Sequence, residues 1–244
     1  MRAIWTIFKR ELAGYFITPI AYVFMAIFVF LSGIFTFYLG SFFERDQADL
    51  LPFFSFHPWI YLFFIPALSM RLWAEERRSG TLELLLTLPL TLSQAVLGKF
   101  LAAWAFTGIT LALTFPMWLT VNFLGAPDNG VILASYLGSL LMAGAFLAIG
   151  ACISGLTKNQ VIAFVVSAVI SLAFVLSGYP LVLELFSGWT PQFLVQTISS
   201  FSFLSHFNAI NKGVIDFRDV VYFASTIAFW LYANALVVSF GKAE

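Results

Sequence analysis

The stretch VILASYLGSLLMAGAFLAIGACI, residues 131–153, contains no Asp, Glu, Lys or Arg. About 20 apolar residues at about 1.5 Å each match the roughly 30 Å apolar core of a bilayer. In lipid, every backbone N–H and C=O must be satisfied by the segment itself or by surrounding protein. Only helices and closed barrels meet that condition. Five more apolar stretches read the same way, giving six candidate spans at 17–39, 57–72, 93–121, 131–153, 161–179 and 220–240. Composition agrees: 61% of the chain is hydrophobic and 10% charged, too few charges to cover a water-soluble surface. The expected fold class is an all-α membrane protein of six transmembrane helices, built as one domain over residues 1–244.

Lys and Arg set the orientation, because they accumulate on the cytoplasmic side. With the N-terminus inside, Arg2, Lys9, Arg10, Arg71, Arg77, Arg78, Lys99, Lys158 and Lys242 are cytoplasmic. Arg45, Lys212 and Arg218 are external, so nine of the 12 basic residues fall inside. Both termini are then cytoplasmic. Residues 1–16 lack the uninterrupted apolar core of a leader, and the mature chain is expected to begin near Met1. They read instead as an amphipathic interfacial helix. Met1, Ile4, Trp5, Phe8, Leu12 and Tyr15 share one face, with Arg2, Thr6, Lys9 and Arg10 towards the other. The last external stretch, residues 180–219, is aromatic but broken by Ser, Gly and Pro, and reads as short helices at the outer face.

One segment stands apart. Between spans two and three, residues 73–92 place Glu75, Glu76, Arg77 and Arg78 directly after an apolar run. Ser79 and Gly80 break the charged run. Residues 81–88 have the length of a two-turn helix, with Leu82, Leu85 and Leu86 on one face and Glu83 and Thr87 on another, and Pro89 ends it. Thr91 and Gln94 have the spacing of a capping box that starts the next helix. Such an element could float among headgroups. Acidic residues beside anionic lipid carry a cost, however, and mixed charge next to an apolar edge suits a protein partner better.

The segment AEERRSGTLELLLTLPLTLSQAVLGKF resembles the signature of membrane subunits of ABC type-2 exporters. The match is carried by Glu75, Glu76, Arg77, Arg78, Ser79, Gly80, Thr81, Glu83, Leu84, Leu85, Pro89, Gly98 and Lys99. KRELAGYFITPIAYVF, residues 9–24, is similar to the gliding-motility-associated subgroup of such permeases. The resemblance implies that the short helix is a coupling helix docked in a separate cytoplasmic ABC-type ATPase. The working unit would hold two permease copies and two ATPase copies in a bacterial inner membrane, with a possible periplasmic accessory protein. ATP and Mg would be bound by the partner, since this chain has no Gly-x4-Gly-Lys-Ser/Thr loop and is not expected to be an enzyme by itself. No cofactor, metal or nucleic acid is expected on this chain; its other surroundings are membrane lipid. Charge reversal at Glu76 or Arg78 is expected to uncouple ATP hydrolysis from transport and leave the fold intact. A second reading is a non-transporting component using the same coupling for mechanical signalling across the envelope.

The remaining candidates are weaker. Ala163, Ser167 and Ser171 repeat every four residues, as do Ser135, Ser139 and Ala143, and Gly144, Ala148 and Cys152. Such rows allow helices to approach closely. The family resemblance makes the first row a candidate contact between two permease copies; the other two read as packing within one chain. Glu184 is ionisable within the apolar run LVLELF and is a candidate for an external or pathway role. His57 and His206 read as ordinary interfacial histidines. The aromatics of spans one and two, among them Phe28, Phe30, Phe63 and Phe64, either line an apolar path or face lipid.

Overall fold

A computed structural model describes residues 2–83, 90–187 and 192–240. The described residues form helices and no strand. In chain order they are α1 (Arg2–Ile17), α2 (Pro19–Ile34, continued by a π-helical turn at Phe35–Leu39), α3 (Leu51–Ser55), α4 (His57–Ser69) and α5 (Arg71–Ser79). There follow α6 (Leu92–Ala112), α7 (Phe115–Leu124), α8 (Asn129–Leu156), α9 (Gln160–Leu176), α10 (Pro180–Ser187), α11 (Gln192–Ser200), α12 (Phe203–Asn211) and α13 (Phe217–Phe240). Among the described residues, four stretches are long and apolar enough to cross a membrane: Pro19–Leu39, Leu92–Leu124, Asn129–Leu156 and Phe217–Phe240.

The other two expected spans take different forms. Residues 57–72 divide into α4 and α5 at Met70. Pro66, inside α4, lacks the N–H that an unbroken ladder needs. Residues 161–179 become the 17-residue α9, which begins at an Asn159 side chain accepting from the N–H groups of Val161 and Ile162. The expected span 93–121 is two helices, parted at Leu113 and Thr114 ahead of Pro116. Thr114 Oγ1 donates to the Leu111 carbonyl at 2.6 Å and meets the Tyr136 hydroxyl at 3.0 Å, so the interrupted turn is satisfied within the protein.

Helix α8 is the axis of the bundle, touching α4, α5, α6, α9, α12 and α13. Its small residues make this possible: Ser135, Ser139, Ala143, Gly144, Ala148 and Cys152 are all buried within the chain. Polar pins fix the neighbours. Ser139 Oγ lies 2.7 Å from His57 Nδ1 and 2.7 Å from the Tyr61 hydroxyl, and the Trp104 indole N–H donates to the Leu140 carbonyl at 2.8 Å. His57 is therefore no interfacial histidine. It is fully buried, and Phe28, Phe53 and Phe54 surround the ring. The aromatics of α2 and α4 divide: Phe28 and Phe64 pack together in the core, while Phe30 and Phe63 are exposed on the outer surface.

The two ends of the bundle gather different parts of the chain. One end brings together Glu11, Glu75, Glu76, Lys99, Ser154 and Gln160. The other brings the 40–50 loop against the 125–128 turn and the end of α12, around a 320 Å³ crevice lined in part by Asp49, Asp128 and Lys212.

Candidate coupling site

The charged segment begins where α4 gives way to α5. Ser154, near the end of α8, bridges the break. Its hydroxyl donates to the Met70 carbonyl at 2.8 Å and accepts from the N–H groups of Trp73 and Ala74, each at 3.1 Å. Those N–H groups belong to the first turn of α5, where no intrahelical acceptor exists. One side chain of the central helix thereby sets where α5 starts and in which direction it leaves.

The Ser-Gly-Thr triplet ends α5. Gly80 has φ +71°, a left-handed conformation that costs a residue with a Cβ about 1–2 kcal/mol. Ser79 Oγ donates to the Glu75 carbonyl at 2.9 Å and contacts Thr81 Oγ1 at 2.9 Å. Thr81, Leu82 and Glu83 resume the helical conformation. Leu82 is buried, and Thr81 and Glu83 are exposed. The expected helix over 81–88, with Leu84, Leu85 and Pro89, otherwise lies outside the described residues.

Gly98 and Lys99, two turns into α6, fix its neighbours. A Cβ at Gly98 would lie 2.7 Å from Ile7 Cγ2, so the glycine is what allows α1 to lie directly on α6. Lys99 is buried. Its Nζ lies 2.7 Å from Glu76 Oε1 and 3.4 Å from Glu11 Oε2, and 5.3 Å from the centre of the Trp73 ring. Arg10 pairs with Glu11 at 2.7 Å. Burial by itself would raise the pKa of the Glu11 carboxyl. The Lys99 charge and the Arg10 bond outweigh it, and the net effect is a lowering. Further along α1, Tyr15 stacks on Phe106 of α6 with ring centroids 4.9 Å apart. The N-terminal helix is thus fixed to α6 through its Ile7, Glu11 and Tyr15 face, and through Lys99 it is linked to Glu76 of α5, a protein contact that its amphipathic pattern did not reveal.

The four consecutive charges separate by role. Glu76 faces inward to Lys99. Glu75 pairs with Arg71 at 3.7 Å and accepts a hydrogen bond from the Gln160 side chain at the start of α9. Arg77 is half-buried and Arg78 exposed. The expectation that reversing Glu76 leaves the fold intact is therefore corrected, because that side chain belongs to the internal ion cluster. Arg78 and Glu83 remain outward-facing. An amphipathic cavity of about 250 Å³ adjoins the cluster, with Glu11, Arg71 and Lys99 at its charged wall and Ile20, Phe24 and Leu68 at its apolar one.

The other sequence candidates fall elsewhere. Ala163, Ser167 and Ser171 are 0% exposed within the single chain, which corrects their assignment to a contact between copies. Their small size seats α9 against α4 and α8. The opposite face of α9 is the exposed one, with Val161 at 67%, Val165 at 49% and Val169 at 60%. Glu184 is exposed on α10. His206 is buried at the end of the bundle away from Lys99, 2.6 Å from Asp219. Among the described residues, no group of three or more His, Cys, Asp or Glu side chains is placed to hold a metal ion.

A bundle of long apolar helices with an ion-paired hub at one end defines a multi-pass membrane protein. Residues 50–239 match the family described as ABC-2 family transporter protein, and the chain belongs to that family: it is an ABC transporter permease. Membrane components of this family work with ABC ATPase subunits. The chain is also similar to heme exporter protein B of Paracoccus denitrificans (strain Pd 1222), with 40% identity over 79 residues. That match covers 31% of this chain and 36% of the relative, so the chain is aligned to about a third of that protein's length.

Proposed function

We propose that the chain is the six-span permease subunit of an ATP-driven exporter in a bacterial inner membrane, with both termini in the cytoplasm. The residues supporting six crossings are those gathered at the hub. Glu11, Glu76, Lys99, Ser154 and Gln160 precede or follow successive apolar segments, as alternating crossings require. In this reading, α4 with α5, and α9, complete the set alongside the four long spans. At about 1.5 Å per residue α9 is about 25 Å long, short of the full core but within what local thinning accommodates.

The hub is the cytoplasmic end. The segment from Arg77 through Leu85 is the coupling element, and it docks on one of two ABC-type ATPase subunits, which bind ATP and Mg. A second permease copy completes the pathway, meeting this one across the exposed valine face of α9. Closure of the ATPase pair displaces α5, and the Glu76–Lys99–Glu11 cluster carries that displacement into α6 and α1, alternating the access of a path between the copies. The outward direction follows the exporter named in the similarity; a periplasmic accessory protein would sit at the end near Asp49, Asp128 and Lys212. The resemblance of residues 9–24 to gliding-associated permeases keeps one other reading, in which the same movement serves mechanical signalling.

The observation that carries the proposal is the burial of Lys99 between Glu76 and Glu11, which makes α5 mechanically continuous with two other helices. Purification from native membrane should retain an ABC-type ATPase, and vesicles holding both should move cargo only with ATP. Replacing Arg78 by Glu should abolish that movement and leave the unfolding temperature unchanged. Purification without an ATPase, or ATP-independent movement, would overturn the exporter reading. ATP-dependent conformational change without movement of any cargo would favour signalling.

A further inference from the structure

The amphipathic cavity beside the hub is walled by α1, α2, α4 and α5, with Lys99 of α6, and the proposed coupling does not use its interior. Thr18 and Ile20 line it where the apolar stretch Pro19–Leu39 begins, so it lies at the level where that stretch would enter the bilayer. Gly14 of α1 lines it without a side chain, and a Cβ placed there meets nothing within 4 Å. On the apolar side Ile20 is exposed, and Val23 and Ile27 continue an exposed stripe along the same face of α2.

The charged wall has donors and acceptors to spare. Lys99 engages Glu76 through Oε1, while Oε2 of the same carboxylate is buried with no hydrogen-bond partner among the described residues. A buried acceptor left in that state carries the full cost of its desolvation. Arg71 meets Glu75 only at 3.7 Å and donates no hydrogen bond among the described residues, although a guanidinium is a fork of N–H donors matched to phosphate. Three carboxylates, Glu11, Glu75 and Glu76, face two cations, Arg71 and Lys99, so the wall has a formal charge of −1. It suits a ligand that brings an N–H cation for Glu76 and an anion for Arg71. Those two residues are five positions apart on α5, about 7.5 Å along its axis, a separation that one phosphate–ethanolamine unit spans.

We infer that this cavity binds the headgroup of one phosphatidylethanolamine molecule from the leaflet at the hub end. The ammonium donates to Glu76 Oε2, the phosphate accepts from Arg71, and one acyl chain leaves past Ile20 along the stripe of Val23 and Ile27. The lipid thereby bridges α2 and α5. Other headgroups fit less well. Phosphatidylcholine presents the same phosphate and no N–H, so it leaves Glu76 Oε2 without a donor. Phosphatidylglycerol brings a net negative charge to a wall that is already negative. Free phosphoethanolamine has the polar groups and lacks the chains that hold a lipid at this depth.

Native mass spectrometry of the purified full chain in detergent counts the lipid retained from an equal mixture of phosphatidylethanolamine, phosphatidylcholine and phosphatidylglycerol with identical chains. One phosphatidylethanolamine per chain should remain, preferred about tenfold over phosphatidylcholine, the equivalent of one charge-assisted hydrogen bond. Binding needs neither ATP nor a partner subunit, so its outcome is independent of the exporter reading. Gly14→Phe fills the cavity from α1; it should unfold at or above the wild-type temperature in lipid-free detergent and lose the preference. Arg71→Ala leaves the cavity open and should weaken retention of phosphatidylethanolamine and phosphatidylcholine about equally, which decides the matter if the first variant does not fold. Soluble O-phosphoethanolamine in excess should displace neither lipid. Equal retention of phosphatidylethanolamine and phosphatidylcholine, stronger retention of phosphatidylglycerol, displacement by O-phosphoethanolamine, a preference that survives in folded Gly14→Phe, or retention unchanged by Arg71→Ala would each overturn the inference.

Discussion

Lys99 Nζ lies 2.7 Å from Glu76 Oε1, and that contact ties the second turn of α6 to the charged turn of α5. Lys99 is 3% exposed, and Glu11 holds it from the other side. A lysine this deeply buried is tolerated only when paired, and removing one member of such a pair leaves an uncompensated charge. Lys99→Met should therefore destabilise the protein by about 3 kcal/mol. Glu76→Gln in the same chain should recover part of the loss, because it removes the stranded carboxylate. Thermal unfolding of the two single variants and the double variant in detergent measures the coupling. Additive effects would mean that the pair is not energetically linked.

The contact of α1 on α6 depends on the missing side chain at Gly98. A Cβ there meets both Ile7 Cγ2 at 2.7 Å and Ile7 Cβ at 2.8 Å, and the second is too near the backbone to rotate away. Gly98→Ala should cost about 1–3 kcal/mol through overpacking. It should also raise the rate of proteolytic cleavage within α1. Ile7→Gly in the same chain, which removes both clashing atoms, should slow the cleavage again, whereas Ile7→Ala keeps the Cβ and should not.

Acid should release α1 first. The Glu11 pKa is lowered in the folded protein by Lys99 and Arg10 despite its burial. A lowered carboxyl contributes stability that is present above its ordinary value of 4.5 and is lost as pH falls through the folded value. Docking of α1, followed by a fluorophore near Trp5, should thus be constant above pH 4.5 and weaken below it. Glu11→Gln should flatten that response.

The left-handed turn at Gly80 sets the direction in which the chain leaves α5, and the proposed coupling element follows it. Gly80→Ala forces a Cβ into a left-handed position and should destabilise the turn by about 1–2 kcal/mol, whereas Gly80→Asn should be milder because asparagine tolerates that region. ATPase stimulation by the permease should fall in the order Gly80, Asn, Ala, and global stability should change little. Equal stimulation by all three would show that the turn does not transmit force.

Four of the six apolar stretches are long membrane helices because length and hydropathy are properties of the chain alone, and a bilayer reads them without reference to any neighbour. The capping box at Thr91 and Gln94, and the division between the charged turn and the apolar helices, are equally local. The direction of each side chain was not. Glu75 and Glu76 are adjacent in sequence, yet one reaches Gln160 and the other reaches Lys99, because successive residues on a helix point about 100° apart and different helices lie on each side. The row Ala163, Ser167 and Ser171 announced close approach without naming the partner; only the placement of α9 against α4 and α8 decided that it serves the interior. His57 and His206 look alike in sequence. Contacts with Ser139 and Asp219, each far closer in space than anything periodicity encodes, made one a packing pin in the middle of the bundle and the other a partner of the first turn of α13. Periodicity fixes which residues can share a face, and the tertiary structure decides what that face meets.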